Sequence, residues 1–178
     1  MQWLPCGPRF TKCVADSPFR PRVVVAALAL SATALVGIAL NEGYTDRAVI
    51  PIPGDVPTIG FGTTEGVKMG DRITPPKALE RALQDVQKFE GALKRCVKVP
   101  LHQHEYDAYM SLAYNIGPGA FCSSTLVKLL NAGDYTGACE QILRWKRAAG
   151  KDCSVRANGC YGLFTRRQSE YTLCMGAA

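Results

Sequence analysis

The sequence predicts an α+β domain in which helices dominate, with a small β-hairpin or sheet near its start and one apolar helix ahead of it. Three observations lead there. An 18-residue stretch, 23–40, holds no charged residue. The stretch 45–64 is rich in Pro and Gly and reads as turns around a short sheet. From Thr74 onward, apolar residues recur at helical spacing in several blocks separated by turn signals. One small β element followed by a run of helices is the pattern of an α+β architecture. The chain has 178 residues, and the part after Leu40 is long enough to bury a core of its own.

In chain order, residues 1–22 form a polar tail in which Arg9, Lys12, Arg20 and Arg22 face only Asp16. It lacks apolar periodicity and predicts little fixed structure. Positive charge ahead of an apolar helix keeps that end cytoplasmic and points the rest of the chain outward. The stretch 23–40 is just long enough to span a bilayer, for which about 20 residues is typical. Six alanines, Ser31, Thr33 and Gly37 dilute its valines and leucines. Three readings compete: a permanent anchor, a signal peptide cleaved at the small-x-small site Ala32-Thr33-Ala34, or a marginally held span able to leave the bilayer.

Pro51, Pro53 and Pro57 exclude a helix in the next segment, and one strand is expected over 58–61. Gly54-Asp55 makes a hairpin tip, and Asp46 and Asp55 read first as turn residues. Thr74 followed by Pro75-Pro76 is a helix start, a hydroxyl cap and then prolines in the first turn. Leu79, Ala82, Leu83, Val86, Phe89 and Leu93 mark its inner face. A second helix runs from about His102 to Asn115, with Tyr106, Tyr109, Met110 and Ala113 on one face, and Gly117-Pro118-Gly119 ends it. Ser123 or Ser124 caps a third helix through Leu129 and Leu130. Asp134 caps a fourth, with Ala138, Ile142 and Trp145 inward. A loop follows, and a last helix covers 163–175, where Arg166 and Glu170 stand one turn apart.

The eight cysteines fall as Cys6 and Cys13 before the apolar stretch and Cys96, Cys122, Cys139, Cys153, Cys160 and Cys174 after it. Six on one side of a membrane helix point to disulfides in an oxidising compartment. A zinc site lacks support, because no C-x-x-C pair occurs and the only histidines are His102 and His104. Cys153–Cys160 is the one pair expected on local grounds, and the other connectivities stay open. The net charge of +6 favours approach to anionic polymer, lipid or cell wall. No basic run or basic-aromatic repeat points to nucleic acid.

No nucleophile elbow, phosphate loop, dinucleotide fingerprint or H-E-x-x-H motif is present. What remains is carboxylates and hydroxyls around a Gly/Pro-rich hairpin, and glycosidic hydrolysis needs only those: one carboxylic acid protonates the leaving oxygen and a second carboxylate activates water. Taken alone, Glu42 reads first as a solvated or helix-capping glutamate.

Glu42-Gly43 followed by a hairpin ending Pro57-Thr58-Ile59-Gly60-Phe61-Gly62 resembles the active-site segment of phage-type lysozymes of glycoside hydrolase family 24. Ser111-Leu112-Ala113-Tyr114-Asn115-Ile116-Gly117, Gly119-Ala120-Phe121 and Ser124-Thr125-Leu126 resemble that family's central helix and the turn after it. Gly162-Leu163, Arg166-Arg167 and Glu170 resemble its C-terminal motif. The resemblance covers most of 41–176, in the family's order. It implies a lysozyme-like catalytic domain over 41–178, without metal or cofactor and acting as a monomer. The implied activity is that of an endolysin hydrolysing the β-1,4 bond between N-acetylmuramic acid and N-acetylglucosamine in peptidoglycan. It also implies Glu42 as general acid and Thr58 as holder of the attacking water, with net inversion at the sugar. The family's middle member, an Asp or Cys, has no clean counterpart. Asp55 is the nearest hairpin carboxylate and the choice here, with Asp46 as the fallback. Asn115 and Arg166 are candidates for substrate contact; Arg166-Arg167 otherwise reads as a solvated helix face. Rival readings are an anchored, non-catalytic peptidoglycan binder and a lytic transglycosylase.

Beside such a domain, 23–40 resembles the signal-anchor-release segments of some phage endolysins. That implies export to the inner membrane with the catalytic domain periplasmic, an inactive tether, and release into the periplasm. Release would let the segment fold onto the domain and set Glu42 opposite Thr58. No cysteine lies between Cys13 and Cys96, so a disulfide lock on the site is not expected, although Cys6 and Cys13 are free to pair after release.

Overall fold

The structure, a computed structural model, describes residues 21–51 and 54–176. The N-terminal tail up to residue 20, with Cys6 and Cys13, lies outside the described residues, as does Pro53. The uncharged stretch is not one helix. A short 3-10 turn over Val25–Ala27 is followed by extended backbone at Leu28 and Ser31, and then by helix α1 (Ala32–Glu42). Ser31 caps α1, its hydroxyl accepting from the Ala34 N–H at 3.1 Å. Gly43, with φ of +71°, ends it in a conformation that favours glycine. Among the described residues no helix is long and apolar enough to cross a membrane.

The apolar stretch lies against the body of the domain. Val23 and Leu101 exchange backbone hydrogen bonds at 2.7 and 2.8 Å. Val25 and Leu28 are buried in the main core beside Tyr106, Tyr109 and Leu112, and Ile38 is buried on α1. Val24, Val36 and Leu40 remain exposed, so the strap over the domain is apolar on its outer face as well as its inner one.

Strands β1 (Thr45–Val49) and β2 (Thr58–Gly60) form an antiparallel pair, Thr45 opposite Gly60 and Val49 opposite Thr58. The sheet has two strands; isolated bridges from Arg47 to Arg72 and from Ile59 to Thr63 extend it. Ala48, Ile59 and Val67, with Ile73 against them, make a small second core under the hairpin.

Helix α2 (Pro75–Cys96) opens as expected with two prolines, although the Thr74 hydroxyl makes no cap hydrogen bond. Ala82, Val86 and Leu93 are buried, whereas Leu79 and Leu83 are exposed, so the inner face is narrower than the apolar count indicates. Helix α3 (Gln103–Ile116) is the central element. Tyr106, Tyr109, Met110 and Ala113 are buried on it, and a reciprocal box between His102 and Glu105 starts it.

A six-residue helix, α4 (Pro118–Ser123), occupies what reads as a turn, because Pro118 is as compatible with a first helical position as with a break. Then come α5 (Thr125–Asn131), capped by Ser124, and α6 (Tyr135–Gln141), capped by Asp134. A minimal hairpin of β3 (Arg147–Ala148) and β4 (Lys151–Asp152) precedes α7 (Tyr161–Cys174), which packs along α3. Disulfides join Cys96 to Cys122, Cys139 to Cys174, and Cys153 to Cys160, the last as expected from its short loop.

Candidate active site

Glu42 is the last residue of α1, where the main body gives way to the hairpin. Its Oε1 accepts from Arg166 Nη1 at 3.0 Å. Its Oε2 faces the turn after β2: a Cβ built on Gly62 would sit 3.5 Å from that oxygen, and Gly62 holds φ at +87°. The turn's glycine thus lets backbone approach the carboxylate closely. Tyr114 on α3 donates its phenol to the Phe61 carbonyl at 3.3 Å, and Tyr44 packs against Phe61 with the rings tilted and their centroids 5.4 Å apart. These two contacts tie the hairpin's end to the helical body beside Glu42. Burial pushes the Tyr114 phenol well above its ordinary range, so it stays a proton donor.

Behind Glu42 lies a buried ionic network. Arg166 Nε donates to Glu170 Oε1 at 3.3 Å, the i,i+4 pairing expected on α7. Glu170 Oε1 also accepts from Ser111 Oγ at 2.7 Å and from Arg167 Nη2 at 3.0 Å. Arg167 has no exposed side-chain surface and Arg166 keeps 10%, so this arginine pair is not a solvated helix face. Burial pushes the Glu170 carboxyl up, against the pull of Arg167, Ser111 and Arg166, and pushes the Arg167 guanidinium down. Arg166 Nη2 is buried with no hydrogen-bond partner among the described residues, and Arg166 lines a cavity of about 480 Å³ between α1 and α7.

The hairpin carries the other candidates. Thr58, half-buried, begins β2, and its hydroxyl donates to the Val56 carbonyl at 3.3 Å. Asp55 is exposed at the tip beside Gly54, its Oδ1 accepting from the Val56 N–H at 2.8 Å, a turn-forming contact. Asp46 is exposed on β1, with Oδ2 3.8 Å from Arg47 Nε. Asn115 is exposed at the end of α3, next to Tyr114. The structure therefore unites Glu42 with Arg166 directly, while Asp55 and Thr58 each bond to Val56 on the hairpin and, among the described residues, neither hydrogen-bonds to Glu42. Among the described residues no group of three or more His, Cys, Asp or Glu is placed to hold a metal ion.

Sequence reasoning passed over Tyr114 and Ser111. Both lie within the Ser111 to Gly117 motif, but nothing local reveals that one reaches the hairpin and the other Glu170. It also passed over Glu90 and Asp107, which receive the apolar strap, and Glu105, which receives Arg22 just ahead of it.

Comparison with known proteins gives one consistent result. The family model described as phage lysozyme matches residues 39–170. An endolysin of Acyrthosiphon pisum secondary endosymbiont phage 1 is 40% identical over 65% of this chain and 77% of its own. A SAR-endolysin of Pseudomonas phage phiKMV is 37% identical over 81% of this chain and 87% of its own. Among solved structures, an endolysin from Escherichia coli O157:H7 phage FAHEc1 superposes with a TM-score of 0.71 at 36% identity, covering 85% of this chain and 96% of that one.

Proposed function

The chain belongs to the phage lysozyme family of muramidase-type glycoside hydrolases, and we propose that Glu42 is its general acid and that residues 23–40 tether it to a membrane until release. Peptidoglycan hydrolysis, and with it lysis of the host cell, is the activity that goes with the family. One observation supports the assignment of the acid: Glu42 is gripped on Oε1 by Arg166, while Oε2 lies beside Gly62 in the turn that follows β2.

Cleavage of a β-1,4 bond with inversion needs a proton on the leaving oxygen and a water on the opposite face of the sugar. Glu42 delivers the proton from Oε2, the oxygen not held by Arg166. Asp55 orients and deprotonates the water, and the Thr58 hydroxyl holds it. Asp55 and Thr58 are released for this by exchanging their turn contacts to Val56 for the water. Asn115, exposed at the same end of α3 as Tyr114, contacts the glycan strand, and Arg166 acts on the substrate through Glu42.

The tether reading rests on three supports. The stretch 23–40 is uncharged and of spanning length. Its small and hydroxylated residues lower the cost of leaving lipid. A relative 37% identical over 81% of this chain is called a SAR-endolysin. In the folded form the same stretch is broken and packed on the domain, the state expected after release from the inner membrane into the periplasm.

Three measurements test these assignments. Glu42→Gln abolishes clearing in a peptidoglycan zymogram while the circular dichroism spectrum is retained; near-normal clearing removes Glu42 from the mechanism. Mass spectrometry of the products shows reducing-end muropeptides, and anhydro-muropeptides would mean a transglycosylase instead. The periplasmic species has the intact mass of the full chain; a species lacking the first thirty-odd residues would mean signal-peptide cleavage.

A further inference from the structure

The break in the apolar stretch has a receptor. The Leu30 N–H donates to Glu90 Oε1 at 2.7 Å, and the Ser31 N–H donates to Asp107 Oδ1 at 3.0 Å. Gln103 Nε2 bridges, donating to the Ala29 carbonyl at 2.8 Å and to Asp107 Oδ1 at 2.9 Å. Glu90 stands on α2, Gln103 and Asp107 on α3, so two helices of the body grip three consecutive residues of the strap. Just upstream, the Arg22 guanidinium meets Glu105 through Nε at 3.0 Å and Nη2 at 2.8 Å.

We propose that Glu90 and Asp107 are positioning residues for Glu42: they receive the Leu30 and Ser31 amides, fix where α1 begins, and thereby set its far end, which bears the acid. In an unbroken helix over 23–40 those amides would bond to the carbonyls of Ala26 and Ala27. In the folded form they belong to the carboxylates, and Leu28 and Ser31 are extended. One pair of N–H groups cannot serve both partners. The spanning helix and the docked strap therefore exclude each other, and the choice is made at Leu30 and Ser31. With the strap docked Asp107 is 6% exposed, and its Oδ1 is satisfied by the Ser31 amide and Gln103. Ser31 changes role with the state, from mid-helix residue in the span to N-cap of α1 when docked. This deepens the tether reading above and rests on Glu42 being the acid.

The test uses the full chain, soluble and released. Asp107→Ala and Glu90→Ala are compared with Asp107→Asn and Glu90→Gln, which keep an acceptor oxygen. In the Ala variants the Leu30 and Ser31 amides exchange about tenfold faster or more. Their kcat on purified peptidoglycan falls about tenfold or more while KM and the helical content of the body hold. The Asn and Gln variants recover both readings. Faster exchange at these amides with unchanged kcat overturns the proposal, as does a fall in kcat with exchange unchanged. Glu90→Ala also removes the partner of the buried Tyr106 phenol, which donates to Glu90 at 2.8 Å; if that variant fails to fold, Asp107→Ala alone decides. Full activity in Glu42→Gln sinks the assignment of the acid, and amide exchange still reports separately on whether the carboxylates hold the strap.

Discussion

Arg166 and Glu42 lie 124 residues apart in the chain and 3.0 Å apart in the fold, joined from Nη1 to Oε1 with the guanidinium almost wholly buried. One planar fork spans two carboxylates, Glu42 through Nη1 and Glu170 through Nε. A lysine is a point charge on a flexible stem and cannot reproduce both contacts. Arg166→Ala should cost about 3 kcal/mol in stability, since it leaves Glu170 with one fewer counter-charge in a buried site. Arg166→Lys should keep more of that stability yet still lose about tenfold or more in kcat, because the acid is no longer held in place. Denaturant titration and single-turnover assays separate the two effects.

The hairpin poses a choice between two carboxylates. Asp55 and Thr58 share a partner in Val56, through its N–H and its carbonyl, and so form one local unit. Asp46 sits on the other strand beside Arg47. Asp55→Asn keeps an acceptor for the Val56 N–H but cannot take a proton, so activity should fall about 100-fold or more with the turn intact. Asp46→Asn should stay within about threefold of the parent, an exposed pair like Asp46–Arg47 contributing little. Thr58→Val, which preserves shape but removes the hydroxyl, should resemble Asp55→Asn. If Asp46→Asn is the dead variant, the water is activated from β1 instead.

Acid should weaken the fold through His104. Burial holds its imidazole below the ordinary value, outweighing the pull of Glu105; His102 and Arg22 push the same way as burial, and Asp107 pulls against them. Between the lowered folded value and the unfolded value of about 6.5, the unfolded chain binds more protons than the native one. Stability therefore rises with pH through that window and falls as pH drops from about 6.5 toward the folded value. His104→Gln should flatten this part of the curve. Thermal melts of both proteins between about pH 7.5 and pH 5 give the difference directly.

Local signals were legible and remote ones were not. The Asp134 and Ser124 caps, the Arg166–Glu170 spacing, the buried face of α3 and the Cys153–Cys160 loop each depend on residues within a few positions of one another. The break in 23–40 depends on acceptors 60 and 76 residues away, so the sequence reads as one helix where the fold holds two pieces. The same blindness made Arg166-Arg167 look solvated, because Glu42 closes the network from the other end of the chain. The hairpin reading requires a partner for 58–61 but does not locate it, because only Ala48 on β1 is buried, which leaves no alternation to read.

The disulfides differ in how much they contribute. Cys139–Cys174 spans 35 residues and Cys96–Cys122 spans 26, whereas Cys153–Cys160 spans 7. By loop-closure entropy the two long bridges each stabilise by about 3.5 kcal/mol and the short one by about 2.5 kcal/mol. Cys139–Cys174 also pins the end of α7 to α6, and α7 carries Arg166, Arg167 and Glu170. Replacing that pair by alanines should lower the melting temperature and also loosen the grip on Glu42. Replacing Cys153 and Cys160 should lower the melting temperature less and leave kcat near the parent's, since that loop precedes α7 without touching the network. Paired melts and activity assays of the two double variants check this; equal losses of kcat would mean that the 153–160 loop shapes the site after all.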